Sequence, residues 1–173
     1  TDPGQDDAVA ILLALASPEE LEVLGVVAVA GNVPIHHTFN NARKLVAFSG
    51  REDVRVFAGA DRPFRHSLVT AEHVHGVTGL DGSEHLPEPK GPAETVDGVR
   101  FIIDTLRTVD DVTLVTLGPL TNIARAFSEA PDVVGRVDEV VMMLGSWKEM
   151  GNVSATAEFK AFVATEAVDI VLR

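Results

Sequence analysis

The sequence predicts an α/β fold, a mostly parallel sheet with helices on both faces, and three observations carry that prediction. Strand-like and helix-like segments alternate along the chain, and parallel neighbours need crossovers that helices usually supply. The strand-like run over 21–30 is apolar and valine-rich instead of alternating with polar residues, which marks a strand covered on both sides. Each strand-like segment runs into a glycine, at Gly31, Gly59, Gly118 and Gly145, as strands do before a loop. The 173 residues suit a single domain with one sizeable core.

The elements follow in order. Thr1-Asp2-Pro3-Gly4 is a loop sequence without an initiating Met, and it runs into a helical pattern over residues 6–17. An α/β domain usually enters such a loop from a strand, so a strand is expected upstream. Residues 21–30 (LEVLGVVAVA) form a buried strand ending at Gly31-Asn32. Ile35, Phe39, Ala42, Leu45 and Val46 recur at helical spacing over 34–48, and Ser49-Gly50 stops them. A short strand over 54–58 precedes residues 59–95, a segment rich in proline and glycine that holds four of the six histidines. A loop of that length in a compact domain is usually functional. Val99, Ile103 and Leu106 mark a helix over 95–108, which leads into strand 112–117, helix 121–128 and strand 139–144. Residues 166–173 read as a helix without a stop signal, so the chain is expected to be the amino-terminal part of a longer domain, cut at both ends.

Composition narrows the function. With 46% hydrophobic and 23% charged residues, disordered and low-complexity classes are excluded. The 26 acidic against 14 basic side chains give a formal charge of −12, which repels polyanions, so nucleic acid is not an expected partner. Zero cysteines remove disulfides, thiolate nucleophiles and zinc-cysteine sites, and favour a reducing compartment such as the cytoplasm. No apolar run reaches the roughly 18 residues that a membrane span needs, and no signal-peptide pattern opens the chain.

In parallel sheets ligands gather beyond the carboxyl ends of the strands, which directs attention to residues 2–7, 31–33, 59–95, 117–121 and 145–158. Asp2, Asp6 and Asp7 put three carboxylates around a Pro-Gly turn at the start of an apolar helix. Asp6 as N-cap with Asp7 in the first turn is one reading. The other is a cation held between them, and hard oxygens without Cys or His point to Ca²⁺ or Mg²⁺. Such an ion acidifies water, and a neighbouring Asp can take the proton. Asn32 reads equally as a turn residue, Met142 and Met143 as core, Glu158 and Lys160 as solvated helix charges, and His36-His37 as helix surface. His73-x-His75 is a weak metal pair.

TDPGQDDAVAILLAL resembles the amino-terminal signature of the inosine–uridine preferring nucleoside hydrolases, in which an aspartate-rich stretch holds calcium. Further blocks agree in order: GVVAVAGNVP before an asparagine-bearing helix, HGVTGLDG at 75–82, LVTLGPLTNIARAF at 114–127 and VVMMLGSWKEMGNVSATAEF at 140–159. The resemblance implies a Rossmann-like sheet and calcium-dependent hydrolysis of the N-glycosidic bond of ribonucleosides. Ribose and free base would leave through metal-activated water and an oxocarbenium-like transition state. It implies Asp2, Asp7 and the Leu117 carbonyl as calcium ligands, Asp2 also as base, and Asn32 as a residue orienting water or ribose. Asp6, Asn152 and Glu158 would bond the sugar hydroxyls, Met143 would line the pocket beneath the ring, and His75 would lie near the base. It also implies a homo-oligomer, a dimer or tetramer, and a further region beyond residue 173 with a leaving-group acid and another calcium carboxylate. Purine or pyrimidine preference would be set by the variable loop and that further region.

Two departures from the pattern stand out. The usual glycine pair is Leu144-Gly145-Ser146, and the family's AEFN is Ala157-Glu158-Phe159-Lys160. A cation beside a calcium ion is unfavourable unless Lys160 turns outward or pairs with a carboxylate. A non-catalytic relative that keeps a nucleoside or metal site is the alternative reading.

Overall fold

The computed structural model describes residues 1–146 and 148–173, so position 147 of the 145–158 loop lies outside the described residues. Helix and strand alternate as expected. Helix α1 (Gln5–Leu15) is followed by β1 (Val26–Ala28), α2 (Ile35–Ser49) and β2 (Val56–Ala58). A four-residue helix α3 (Glu72–His75) interrupts the long loop, where the sequence offers no periodic signal for one. Then come α4 (Gly98–Thr108), β3 (Val112–Thr116), α5 (Thr121–Glu129), a 3-10 turn (Pro131–Arg136), β4 (Val137–Met142), α6 (Phe159–Val163) and α7 (Thr165–Leu172).

All strand pairing is parallel, but among the described residues it forms two pairs, β1 with β2 and β3 with β4, instead of one continuous sheet. The strand expected over 21–30 shrinks to three residues because β2 offers only Val56, Phe57 and Ala58 as partners. Adjacent residues of a strand face opposite sides. Accordingly Val26 packs against the core cluster that α1 and α2 build with Ile11, Leu15 and Leu45, while Val27 packs against the cluster that holds Val99, Ile102 and Leu106 of α4. Helices therefore cover both faces of β1, which is why the β1–β2 pair is apolar throughout. Between β1 and β3 runs a cleft of about 730 Å³, walled by Ile11 and Leu15 on one side and Phe101 and Leu106 on the other. Thr1 enters it in extended form: its main-chain nitrogen donates to the Val27 carbonyl (3.0 Å) and its carbonyl accepts from Val29 (2.9 Å).

The helix ends explain their own positions. Asp97 caps α4 by accepting from the Val99 and Arg100 amides, at 2.9 and 3.2 Å. Gly50 ends α2 at φ +76°, a left-handed conformation that costs glycine little. For α1 the expected Asp6 cap is corrected: the N-cap position is Gly4, without a side-chain hydrogen bond, and Asp6 and Asp7 both sit in the first turn. No described helix is long and apolar enough to cross a membrane.

Asn122, at the start of α5, fastens the carboxyl ends of both strands of the first pair. Its Nδ2 donates to the Ala28 carbonyl (3.0 Å) and its Oδ1 accepts from the Ala60 amide (2.8 Å). Gly59 makes room for it, since a Cβ there would stand 2.3 Å from Asn122 Oδ1. Asn122→Ala strips the Ala60 amide of its acceptor and leaves the Ala28 carbonyl with the Gly59 amide alone, so it is expected to lower stability by about 1–3 kcal/mol, read from urea denaturation midpoints. A midpoint unchanged from wild type would contradict this anchoring role.

Candidate functional site

The site lies where the Asp2-Pro3-Gly4 bend meets the carboxyl ends of the strands. Asp2 is fully buried, and Asp7, Asn32 and Lys160 are buried around it. Asn32 holds the bend from two directions: its amide N–H donates to Asp2 Oδ2 (2.8 Å), and its Nδ2 donates to the Asp2 carbonyl (2.9 Å). Asp7 Oδ1 accepts from the Asp2 amide (3.3 Å) and the Thr1 hydroxyl. The backbone must come close for this to happen. A Cβ on Gly31 would stand 2.1 Å from Asp2 Oδ2, so glycine at 31 is what lets Asp2 reach the Asn32 amide.

Lys160 supplies the positive charge. From the first turn of α6 its Nζ donates to Asp2 Oδ1 (2.6 Å), Asp2 Oδ2 (2.5 Å) and Asn32 Oδ1 (3.0 Å). The solvated-charge reading of Lys160 is thereby corrected, and of the two ways out of an unfavourable charge, pairing with a carboxylate is the one adopted. Burial raises the Asp2 carboxyl to about 6; the Lys160 ammonium pulls it down and the Asp7 charge pushes it further up.

The three aspartates do not converge as a set. Successive helix residues point about 100° apart, so with Asp7 turned inward Asp6 is left exposed. Asn32 is no mere turn residue, since each of its side-chain polar atoms is engaged. His75 reaches the bend from α3, where its ring faces Gly4 and Nδ1 lies 2.9 Å from Gln5 Oε1. Leu117 is half-buried against the first core cluster, one residue before Gly118, whose Cβ position lies 2.8 Å from Asp2 Oδ1. At the end of β4, Met142 packs inward while Met143 is exposed, so the core reading holds for the first and fails for the second. Asn152 is exposed and its Oδ1 accepts from the Phe159 amide (2.9 Å), which pins the loop to the start of α6, and Glu158 is the half-buried N-cap residue of that helix. Among the described residues no hydrogen bond joins Asp6, Met143, Asn152 or Glu158 to the Asp2 cluster.

Sequence reasoning missed one anchor. Asn41, buried on α2, donates through Nδ2 to the Thr78 carbonyl (2.8 Å) and the Pro3 carbonyl (3.3 Å), so it ties the acidic bend to the long loop. Its signals were the asparagine-bearing helix of the family resemblance and a polar residue on the buried face of α2, neither of which says what it would bind. Gln5 had none.

The donor chemistry suits a hard divalent ion. Asp2 and Asp7 are both buried, with the Asp7 carboxylate on the Asp2 amide, and the site already gathers a cation, the Lys160 ammonium, against both oxygens of Asp2. Among the described residues no group of three or more His, Asp or Glu side chains converges, so main-chain or amide oxygens would have to complete a metal shell.

Comparisons with known proteins show which family the chain belongs to. The family model described as inosine-uridine preferring nucleoside hydrolase matches residues 1–173. An uncharacterized protein of Schizosaccharomyces pombe is 47% identical over 99% of this chain and 56% of its own length. The pyrimidine-specific ribonucleoside hydrolase RihA of Shewanella sp. (strain ANA-3) is 42% identical over 99% of this chain and 54% of its own. A solved purine-preferring ribonucleoside hydrolase from Gardnerella vaginalis superposes with a TM-score of 0.93 at 31% identity, covering 100% of this chain and 56% of that one. The chain thus spans about half the length of the relatives it matches. On a match that runs from its first residue to its last, this chain belongs to the inosine-uridine preferring nucleoside hydrolase family.

Proposed function

We propose that the full-length protein hydrolyses the N-glycosidic bond of ribonucleosides, with Asp2 as base and with Asp2, Asp7 and the Leu117 carbonyl as ligands of a calcium ion. The observation that carries this reading is the buried Asp2–Asp7 pair, held by Asn32 at the carboxyl ends of parallel strands. When bound, calcium supplies Lewis-acid polarisation of water and of sugar hydroxyls. Asp2 takes the proton of the attacking water at a carboxylate oxygen, and its raised pKa brings it nearer to neutral working conditions. Asn32 orients that water or the ribose through its side-chain amide. Asp6, exposed on the first turn of α1, bonds a ribose hydroxyl from the solvent side, joined by Asn152 and Glu158 from the opposite loop. Met143, exposed beyond β4, lies beneath the sugar ring. His75, steadied by Gln5, stands near the nucleobase. Carboxylates around the ring offset the positive charge that the sugar develops as the bond breaks. The relatives named above are pyrimidine-specific in one case and purine-preferring in another, so both base classes belong in the assay. The protein works as a dimer or tetramer, and the absence of cysteine suits the cytoplasm.

The test is release of free ribose from uridine and from inosine by the full-length protein in millimolar calcium, repeated with a chelator. Ribose from at least one nucleoside, lost with the chelator and restored by calcium, is the expected result. No ribose from a folded, calcium-loaded protein would turn the assignment to a non-catalytic nucleoside-binding relative.

A further inference from the structure

Lys160 occupies the centre of the site. Its ammonium touches both oxygens of Asp2 and the Oδ1 of Asn32, at 2.6, 2.5 and 3.0 Å, and the side chain is only 6% exposed. Two of the three atoms it meets are the oxygens of Asp2, a proposed calcium ligand, and the third belongs to Asn32, which is proposed to orient the water or the ribose. A divalent ion and an ammonium cannot share a buried carboxylate, because like charges at contact distance repel strongly where water does not screen them. Nor can the ammonium simply retreat into the core, where an unpaired charge is costly. We infer that Lys160 is a tethered competitor for the divalent ion: its ammonium and calcium are alternative occupants of Asp2, and calcium enters only when Lys160 swings out from the first turn of α6.

This rests on the reading of Asp2 and Asp7 as metal ligands, and it adds a property that reading alone does not contain. With Lys160 in place the acidic bend is already neutralised and ordered without metal. Calcium then has to displace an ion pair instead of filling a waiting cage, so the site fills only at high calcium. The pair joins Lys160 of α6 to Asp2 of the bend with both side chains buried, whereas Arg173 of the same carboxyl-terminal segment pairs with Asp169 at the surface.

The experiment is calorimetric titration of calcium chloride into the full-length protein, wild type beside Lys160→Asn and Lys160→Met. Removing the tethered cation is expected to tighten calcium binding about tenfold or more in both variants. The methionine variant keeps the aliphatic bulk of the side chain, so it serves if the asparagine variant does not fold. Acylation of lysines by an N-hydroxysuccinimide ester, read by mass spectrometry, gives a second measurement on the wild type. Lys160 is expected to be protected without calcium and labelled in saturating calcium. Equal, tight calcium binding by wild type and variants, with Lys160 still protected, would overturn the competition and leave the metal-ligand reading standing. Folded variants that bind no calcium at all would overturn both.

Discussion

Asp2→Asn is expected to destabilise the folded chain by about 3–5 kcal/mol, because it strips the partner from a buried ammonium. Lys160 Nζ has three acceptors, and two of them are the Asp2 carboxylate oxygens. Asparagine at position 2 offers one neutral oxygen, and its NH₂ group would face either the ammonium or the Asn32 amide, donor against donor. The cost comes from the charge left behind and not from the bond removed, which makes the rescue diagnostic. In the double variant Asp2→Asn/Lys160→Met the orphaned ammonium is gone, and most of the lost stability should return. Urea denaturation of the four proteins of this cycle gives the coupling directly. A single-variant loss under about 1 kcal/mol, the range of exposed ion pairs, would mean that Lys160 does not share the interior with Asp2.

Asp7→Asn is expected to have the opposite profile, with a small effect on folding and a large one on turnover. The Oδ1 of residue 7 accepts hydrogen bonds from the Asp2 amide and the Thr1 hydroxyl, and an asparagine oxygen accepts the same two. What disappears is a negative charge beside Asp2. A proposed metal ligand thus becomes a neutral one while the bend keeps its shape. Loss of a carboxylate from a divalent-ion site is expected to lower kcat/KM for ribose release by about 10²–10⁴-fold. Added calcium should recover part of that loss, with little change in the denaturation midpoint. Unchanged kcat/KM at limiting calcium would remove Asp7 from the metal shell. A large fall in stability with proportionate loss of activity would make Asp7 a purely structural residue. Either outcome is readable beside Asp2→Asn, since that variant is expected to fail in folding first.

The elements themselves were largely legible. Helices α1, α2, α4 and α5 fall within a few residues of the expected segments, because each carries its own period and its own stop, such as Ser49-Gly50 after α2. The four strands were found for the same reason, their apolar runs being long enough to stand out from the loops. Their lengths were not, since a strand extends only as far as its neighbour pairs with it, and β2 stops β1 after three residues. Helix α3 escaped because four residues make barely one helical turn and leave no period to read.

Of the candidate site, the sequence alone determined the cast: the acidic bend, Asn32 after a glycine, the family to which these motifs belong, and the oddity of a lysine at 160. Such features are local in the chain, so spacing and residue chemistry reveal them. Only the tertiary structure decided how they are used, that Asp7 turns inward while Asp6 stays in water, that Asn41 reaches across to the bend, and that Lys160 settles on Asp2. Lys160 and Asp2 stand 158 positions apart, and whether a cation is solvated or buried against a carboxylate depends on which surfaces the packed helices close over it. Charge pairing across such a separation is a property of the enclosed volume and its low dielectric, which no stretch of sequence carries by itself.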